Sequence, residues 1–451
     1  MVTGAHRAAP PVLSGGLPLL GHTAAFVRDP VPVLWRGHAE HGTAFSLRLA
    51  GRRTVVLLGR EHSRTFFAET DERLSIASAY PFFVRMFDPD FFYFGGQKEY
   101  LRQRDLILPR FRGNQFDAYV AVMEQRTRAL IDQLGDEGET DLVTTLGPLV
   151  MNIAAHAFLG PDITTRIDGF FSLFRDFSSG MDPVLPGWLP LPRVVRGRRA
   201  RARLRSEMLA LVAERRRRPA DPPDFLQALS EAHYPDGRPA PDRVIVNLIL
   251  LLTWAGHETT TGHLAWALTD LLGHPHECER VRAEQEAVLA PDEPLTSAAV
   301  RRLAHLSRAL HETERLHPVA YIMARRTTAP LTTGGFTIPA DTLVLLSPAL
   351  SHRLPEDHPD PDSFRPDRFL EEPRRLHDLT GFGGGVHRCL GVHFAYVEMQ
   401  VVVTLLLRHY DLELIDRPEP VRGTRTKWPQ SPCRIRYKAR AGRAAARREP
   451  V

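Results

Sequence analysis

Apolar and polar positions change period several times along the 451 residues. Near the start, Phe45 to Leu49 alternates apolar and polar, Gly51-Arg52-Arg53 follows with turn chemistry, and Thr54 to Leu58 is β-branched and apolar. Period-two runs on both sides of a glycine turn predict a β-hairpin. From about Tyr100 to Leu310 the spacing is mostly helical, with proline-rich breaks near Pro183 to Pro192 and Pro219 to Pro223. Inside that region Val244 to Gly256 is the longest apolar stretch, too short to cross a bilayer and suited to a buried core helix. Beyond Pro318, the Gly334-Gly335 turn, the Thr342 to Leu346 run and the proline-dense segment Pro355 to Pro373 predict short strands and then an irregular loop. The glycine-rich stretch Gly381 to Gly391 follows, and Val392 to about Arg408 is helical again.

Composition narrows the class. With 43% apolar, 8% aromatic and 25% charged residues, the chain is a globular protein with a large core, which excludes disorder and fibrous repeats. The 37 prolines are scattered and no Gly/Ser tract or fixed-period repeat marks a spacer. One large domain over residues 1–437 is expected, opening on a proline-rich stretch, 1–22, and followed by a basic, disordered tail, 438–451. The formal net charge of +5 comes from the end, where seven Lys/Arg from Arg434 onward face only Glu449; the body is close to neutral and nucleic acid is not the expected partner. The eleven arginines between Arg193 and Arg218 read as the solvated face of surface helices. Three cysteines, Cys278, Cys389 and Cys433, cannot staple a fold and form no CxxC pair, which suits a reducing cytoplasm. Met1 to Leu20, broken by prolines and glycines, offers no signal peptide or membrane span.

The chemistry concentrates in Phe382-Gly383-Gly384-Gly385-Val386-His387-Arg388-Cys389-Leu390-Gly391. A glycine-rich loop delivers one cysteine just before a helix, where free N–H groups and the helix dipole favour a thiolate. Without a second sulfur nearby, a zinc or iron–sulfur site is disfavoured, whereas one axial thiolate suits a heme iron. No Rossmann GxGxxG unit follows a strand, which disfavours a dinucleotide loop. Elsewhere, Ala255-Gly256-His257-Glu258-Thr259-Thr260 inserts an acid and an alcohol into the apolar helix. His257-Glu258 fails as a zinc-protease motif because position 261 is Thr where a second His is required. Glu312 and Arg315 sit at i, i+3 on one helix face.

The pattern Phe382, Gly385, Cys389, Gly391 resembles the heme-binding signature of the cytochrome P-450 superfamily. The likeness extends from about Pro10 to Tyr437. Gly256, Glu258 and Thr259 resemble the family's oxygen-binding helix, and Glu312-Thr313-Glu314-Arg315 its Glu-x-x-Arg helix, which Arg368 in Phe364-Arg365-Pro366-Asp367-Arg368-Phe369 would join as a buried structural triad. The implied fold is mainly α with a minor β lobe, a triangular helical prism holding heme b between the oxygen-binding helix and the Cys389 loop. Cys389 would be the axial thiolate, with Ala255 and Gly256 against the heme and Thr259 bonding back to Ala255 to loosen the helix and open a pocket for dioxygen. Glu258 and Thr259 would relay protons. Tyr100 and Arg104, Arg326 with Arg325 as the alternative, and His387 would meet the heme propionates, alongside Phe382 and Gly391 in the loop. The substrate pocket would include Phe82, Phe83, Phe87, Val319 and Ile322. The implied reaction is monooxygenation of an apolar small molecule of terpenoid, polyketide or steroid-like type in bacterial natural-product metabolism. Dioxygen is the co-substrate, and electrons come from NAD(P)H through a separate ferredoxin or flavodoxin and its reductase. A monomer is expected. The alternatives are a peroxide-using member, a sterol-demethylase-like activity, to which Tyr80-Pro81-Phe82 is similar although Glu258 replaces the usual His, and a heme sensor or carrier without turnover.

Overall fold

The computed structural model describes residues 8–81, 83, 86–88, 91–92, 94–111, 115–160, 163, 169–180, 191–221, 223–290 and 294–440. Phe82 and most of the basic tail therefore lie outside the described residues. Besides shorter helical turns, the elements run α1 (Pro30–His41), β1 (Ala44–Leu49), β2 (Arg52–Leu57), α2 (Gly59–Ala68), β3 (Leu74–Ser75), α3 (Gln97–Ile107), α4 (Gln115–Leu134), β4 (Glu137–Asp141), α5 (Leu142–Leu159), α6 (Phe170–Ser179), α7 (Pro192–Arg217), α8 (Asp242–Gly273), α9 (Pro275–Val288) and α10 (Ala304–Leu316). They continue with β5 (Met323–Thr327), β6 (Leu331–Thr333), β7 (Phe336–Ile338), β8 (Leu343–Leu346), α11 (Val392–His409), β9 (Tyr410–Leu414) and β10 (Arg434–Ala439). The chain passes repeatedly between two compact units: 1–80, 308–389 and 419–430 form the first, and 81–307, 390–418 and 431–451 the second.

The first unit holds the sheet β1-β2-β8-β5-β3. The expected hairpin is present, but its turn is Ala50-Gly51, both at positive φ, and Arg52 and Arg53 belong to β2. A two-residue turn of this hand matches strand twist, which is why the register closes one residue earlier than the arginines suggested. Two separate clusters cover the sheet: Phe45, Leu47, Val56 and Leu345 pack on one face, and Val55, Leu57, Val344 and Leu346 on the other. Burial on both faces explains why Val55 to Leu58 is continuously apolar instead of alternating.

In the second unit α8 is the central element, 32 residues long and buried on nearly all sides over 244–251 and 260–271. It packs chiefly on α5, which starts from Asp141, whose carboxylate accepts the Thr144 N–H at 2.9 Å as an N-cap. Among the described residues α5, more than the Val244 stretch, is the helix long and apolar enough to cross a membrane, and most of it is buried. The three-stranded sheet β4-β10-β9 closes this unit. The basic run forms α7, where Arg201 and Arg205 pair with Asp88 and Arg215 with Asp224, leaving the remaining arginines mostly toward solvent.

Candidate functional site

In the first unit, α10 ends at Leu316 before His317-Pro318, because the residue preceding proline is forced out of helical geometry. Its last turn presents Glu312 and Arg315, both fully buried. Arg315 Nε and Nη2 donate to the two Glu312 oxygens at 2.8 and 2.9 Å, and Arg368 Nε donates to Glu312 Oε1 at 2.9 Å. The remaining guanidinium nitrogens donate to backbone carbonyls. Arg315 reaches His352, Pro361 and Ser363, and Arg368 reaches Pro359, Asp360 and Ser363. Buried charge survives only when paired and hydrogen-bonded in this way. The triad thus pins the irregular loop 359–368 to α10.

The glycine-rich loop belongs to the same unit. Gly383 and Gly385 have positive φ, and a Cβ on Gly384 would lie 2.6 Å from the Phe67 ring, so the loop needs glycine both to bend and to pass Phe67. The loop closes when the Cys389 N–H donates to the Phe382 carbonyl at 2.9 Å, and the Cys389 residue itself is exposed. His387 meets Asp71 at 2.5 Å. On β5, alternation puts Arg325 on the Phe66 face, where its Nε donates to Thr70 Oγ1 at 3.3 Å and its guanidinium lies 5.1 Å from the Phe66 ring. Arg326 points the other way, to the Ser78 carbonyl and Asp341. Arg325 thus lies on the side of Thr70, whose neighbour Asp71 holds His387, while Arg326 lies on the opposite face. Val319 is buried with its carbonyl accepting from the Lys427 N–H, and Ile322 packs into the sheet core.

In the second unit, the longest break in burial within α8 runs from Trp254 to Thr259. A Cβ on Gly256 would meet nothing within 4 Å, and Thr259 is exposed. The Thr259 hydroxyl donates to the Ala255 carbonyl at 2.6 Å, yet the helix remains continuous from Asp242 to Gly273. The opening therefore comes from missing side-chain volume and not from a broken helix. Glu258 Oε1 accepts from the Ser178 hydroxyl at 2.8 Å. His257 sits against Gly147, where burial lowers its pKa. Phe83 meets Trp254 edge-on at 5.9 Å, while Phe87 is fully buried and stacks on Phe91 at 4.3 Å. On α3, Tyr100 is core, packed 5.3 Å from Phe92, whereas the buried Arg104 Nε has no partner among the described residues.

The cytochrome P450 family profile matches residues 10–434. The chain belongs to the cytochrome P450 family. Its members are oxidoreductases, monooxygenases that use heme, dioxygen and external electron donors on hydrophobic substrates. This P450 is 31% identical to the lanosterol 14-alpha demethylase of Bos taurus over 444 residues, 96% of this chain and 88% of that protein. It is 31% identical to the sterol 14alpha-demethylase of Mycobacterium tuberculosis over 453 residues, 96% of this chain and 98% of the other. A retinoic acid-bound cyanobacterial CYP120A1 superposes with a TM-score of 0.84 at 26% identity, covering 96% of this chain and all of that one. The mainly helical P450 fold with a minor β part is thus established.

The residues fit a heme. In the first unit the exposed Cys389 suits a thiolate ligand; in the second, the open space at Gly256 suits a flat macrocycle, and Arg104 Nε, without a partner among the described residues, suits a carboxylate. Sequence reasoning missed Asp71, Trp254 and Ser178, whereas Arg325 stands there as the alternative to Arg326. Only Trp254 carried a local signal, lying four residues before Glu258 on one helix face.

Proposed function

We propose that this P450 hydroxylates or epoxidises a bulky apolar small molecule, of terpenoid, polyketide or steroid-like type, in bacterial natural-product metabolism. The observation carrying this reading is the exposed Cys389 on its glycine-built loop, held by the Phe382 carbonyl. Cys389 would ligate the heme iron through its thiolate, with Phe382 and Gly391 in the same loop, and Ala255 and Gly256 would leave room for the macrocycle. Arg104, Arg325 and His387 would hold the heme carboxylates by charge-assisted hydrogen bonds. When bound, the heme activates dioxygen with two electrons delivered by a ferredoxin or flavodoxin and its reductase.

The chain's own residues handle protons and water. Thr259, exposed on α8, offers a hydroxyl that can give its proton outward while accepting one from a neighbour, its present bond to Ala255 being the resting position. Glu258 is the carboxylate beside it, within one helix position, and passes protons to that hydroxyl. The ring of Phe83 on Trp254 provides an apolar wall that keeps bulk water from this stretch and receives the substrate. The names of the demethylase relatives favour a polycyclic, sterol-like member of the substrate class as the second reading.

The test is turnover by the heme-loaded protein with a surrogate ferredoxin, its reductase and NADPH, using lanosterol and smaller terpenoids as probes. Probe-dependent NADPH consumption with an oxygenated product is expected. Heme binding with no consumption of reductant under any probe would favour a sensor or carrier, and oxygenation supported only by added peroxide would favour a peroxide-using enzyme.

A further inference from the structure

We propose that Ser178 is the positioning residue for Glu258, a role that rests on Glu258 being the proton-carrying acid. Trp254 and Glu258 lie four residues apart on one face of α8. From the last turn of α6, the Ser178 hydroxyl bridges them, accepting from Trp254 Nε1 at 3.2 Å and donating to Glu258 Oε1 at 2.8 Å. An indole N–H can only donate and a carboxylate can only accept, so the direction of the single hydroxyl proton is fixed toward Glu258. Accepting from the indole also strengthens the hydroxyl as a donor. Glu258 makes no ion pair among the described residues, so this hydroxyl is what selects its rotamer. Thr259 is tied separately, to Ala255. Acid and alcohol are therefore not bonded to each other at rest, and Ser178 holds the acid in reserve on the α6 side. The indole is itself braced by Phe83, which tilts on Phe87, which meets Phe177 of α6 edge-on at 6.4 Å. The aromatic residues read as a substrate wall thus share the framework that aims the carboxylate.

The experiment uses the heme-loaded protein with surrogate ferredoxin, reductase and NADPH, dioxygen being the only acceptor. Peroxide release takes two electrons and two protons per dioxygen, whereas reduction to water takes four of each, so peroxide per NADPH reads proton delivery. Ser178→Ala is expected to raise that ratio about fivefold, the factor set by losing one ordinary hydrogen bond. Ser178→Thr should restore the parent ratio. In a Glu258→Gln background, Ser178→Ala should add nothing, because the two act as one unit. Independently of turnover, UV resonance Raman should show the Trp254 indole N–H losing its acceptor in Ser178→Ala and regaining it in Ser178→Thr, with Trp254→Phe identifying the band. Equal ratios in Ser178→Ala and parent, or equal effects in both backgrounds, or an unmoved indole band, overturn the assignment. If Glu258→Gln itself leaves the ratio at the parent value while the band moves as expected, it is the proton-carrying reading of Glu258 that fails, and the role of Ser178 with it.

Discussion

The buried polar groups around α10 and those along the middle of α8 follow opposite rules. In the first unit, Glu312, Arg315 and Arg368 are sealed from water, and every nitrogen of the two guanidinium groups donates to a carboxylate or a carbonyl. In the second, Trp254 to Thr259 interrupts a largely buried helix with open space and a few isolated hydrogen bonds. Saturated polar groups hold a shape, whereas polar groups left with capacity to spare are placed to act on something else. A charged motif is therefore structural or functional according to how many of its bonds the fold has already used.

The sharpest way to break the comparison is to remove one charge from the saturated cluster. Arg315→Ala leaves Glu312 buried with a single cationic partner and is expected to cost about 3–5 kcal/mol in urea unfolding. A loss below about 1 kcal/mol would mean that the cluster is not closed to water.

Acid provides a second route in the same unit. His352 Nε2 accepts the Thr380 N–H at 2.9 Å, which requires the neutral ring, and burial followed by the Arg315 charge lowers its pKa from an ordinary 6.5 to about 3. The unfolded chain takes up a proton below about pH 6.5 that the native state refuses until about pH 3. Stability is thus complete above that window and lost as pH falls through it, by about 2 kcal/mol between pH 7 and pH 5. Thermal melts across this range should show the slope, and His352→Gln should flatten it. A parent slope unchanged by the substitution would assign acid sensitivity to other groups.

The next prediction compares neighbours on β5. Arg325→Ala is expected to release heme measurably faster to apomyoglobin than the parent does, by about tenfold for one lost charge-assisted bond, while Arg326→Ala should behave as the parent. The reverse ranking would favour the register first expected from sequence. The smallest effect belongs to the open helix. Gly256→Ala meets no atom within 4 Å, so the heme-free chain should gain about 0.5–1 kcal/mol from helix propensity, and a loss would show that the space is already filled.

What could be read in the sequence was what lies close along the chain. The Phe382 to Gly391 loop, the Glu312/Arg315 spacing and the acid–alcohol insertion at Glu258 are each contained within about one or two turns, so periodicity and motif spacing place them directly. The rest depends on partners far away. Arg325 and Arg326 are distinguished only by the pairing of β5 with β8 and β3, because one residue of register exchanges the two faces. Ser178 reaches Glu258 across 80 residues, and Asp71 reaches His387 across 316, distances over which no local pattern carries information. The thickness of packing on α5 was hidden for the same reason: its composition would suit a membrane, and α8 covers it instead.

The most direct measurement is the absorption spectrum of the purified, heme-loaded protein after dithionite reduction and addition of carbon monoxide, in parent and Cys389→Ala forms. The parent is expected to show the strongly red-shifted Soret band of thiolate ligation, and the variant to lose it. The same band in both proteins, or no such band in a folded, heme-replete parent, would contradict Cys389 as the ligand and with it the functional reading.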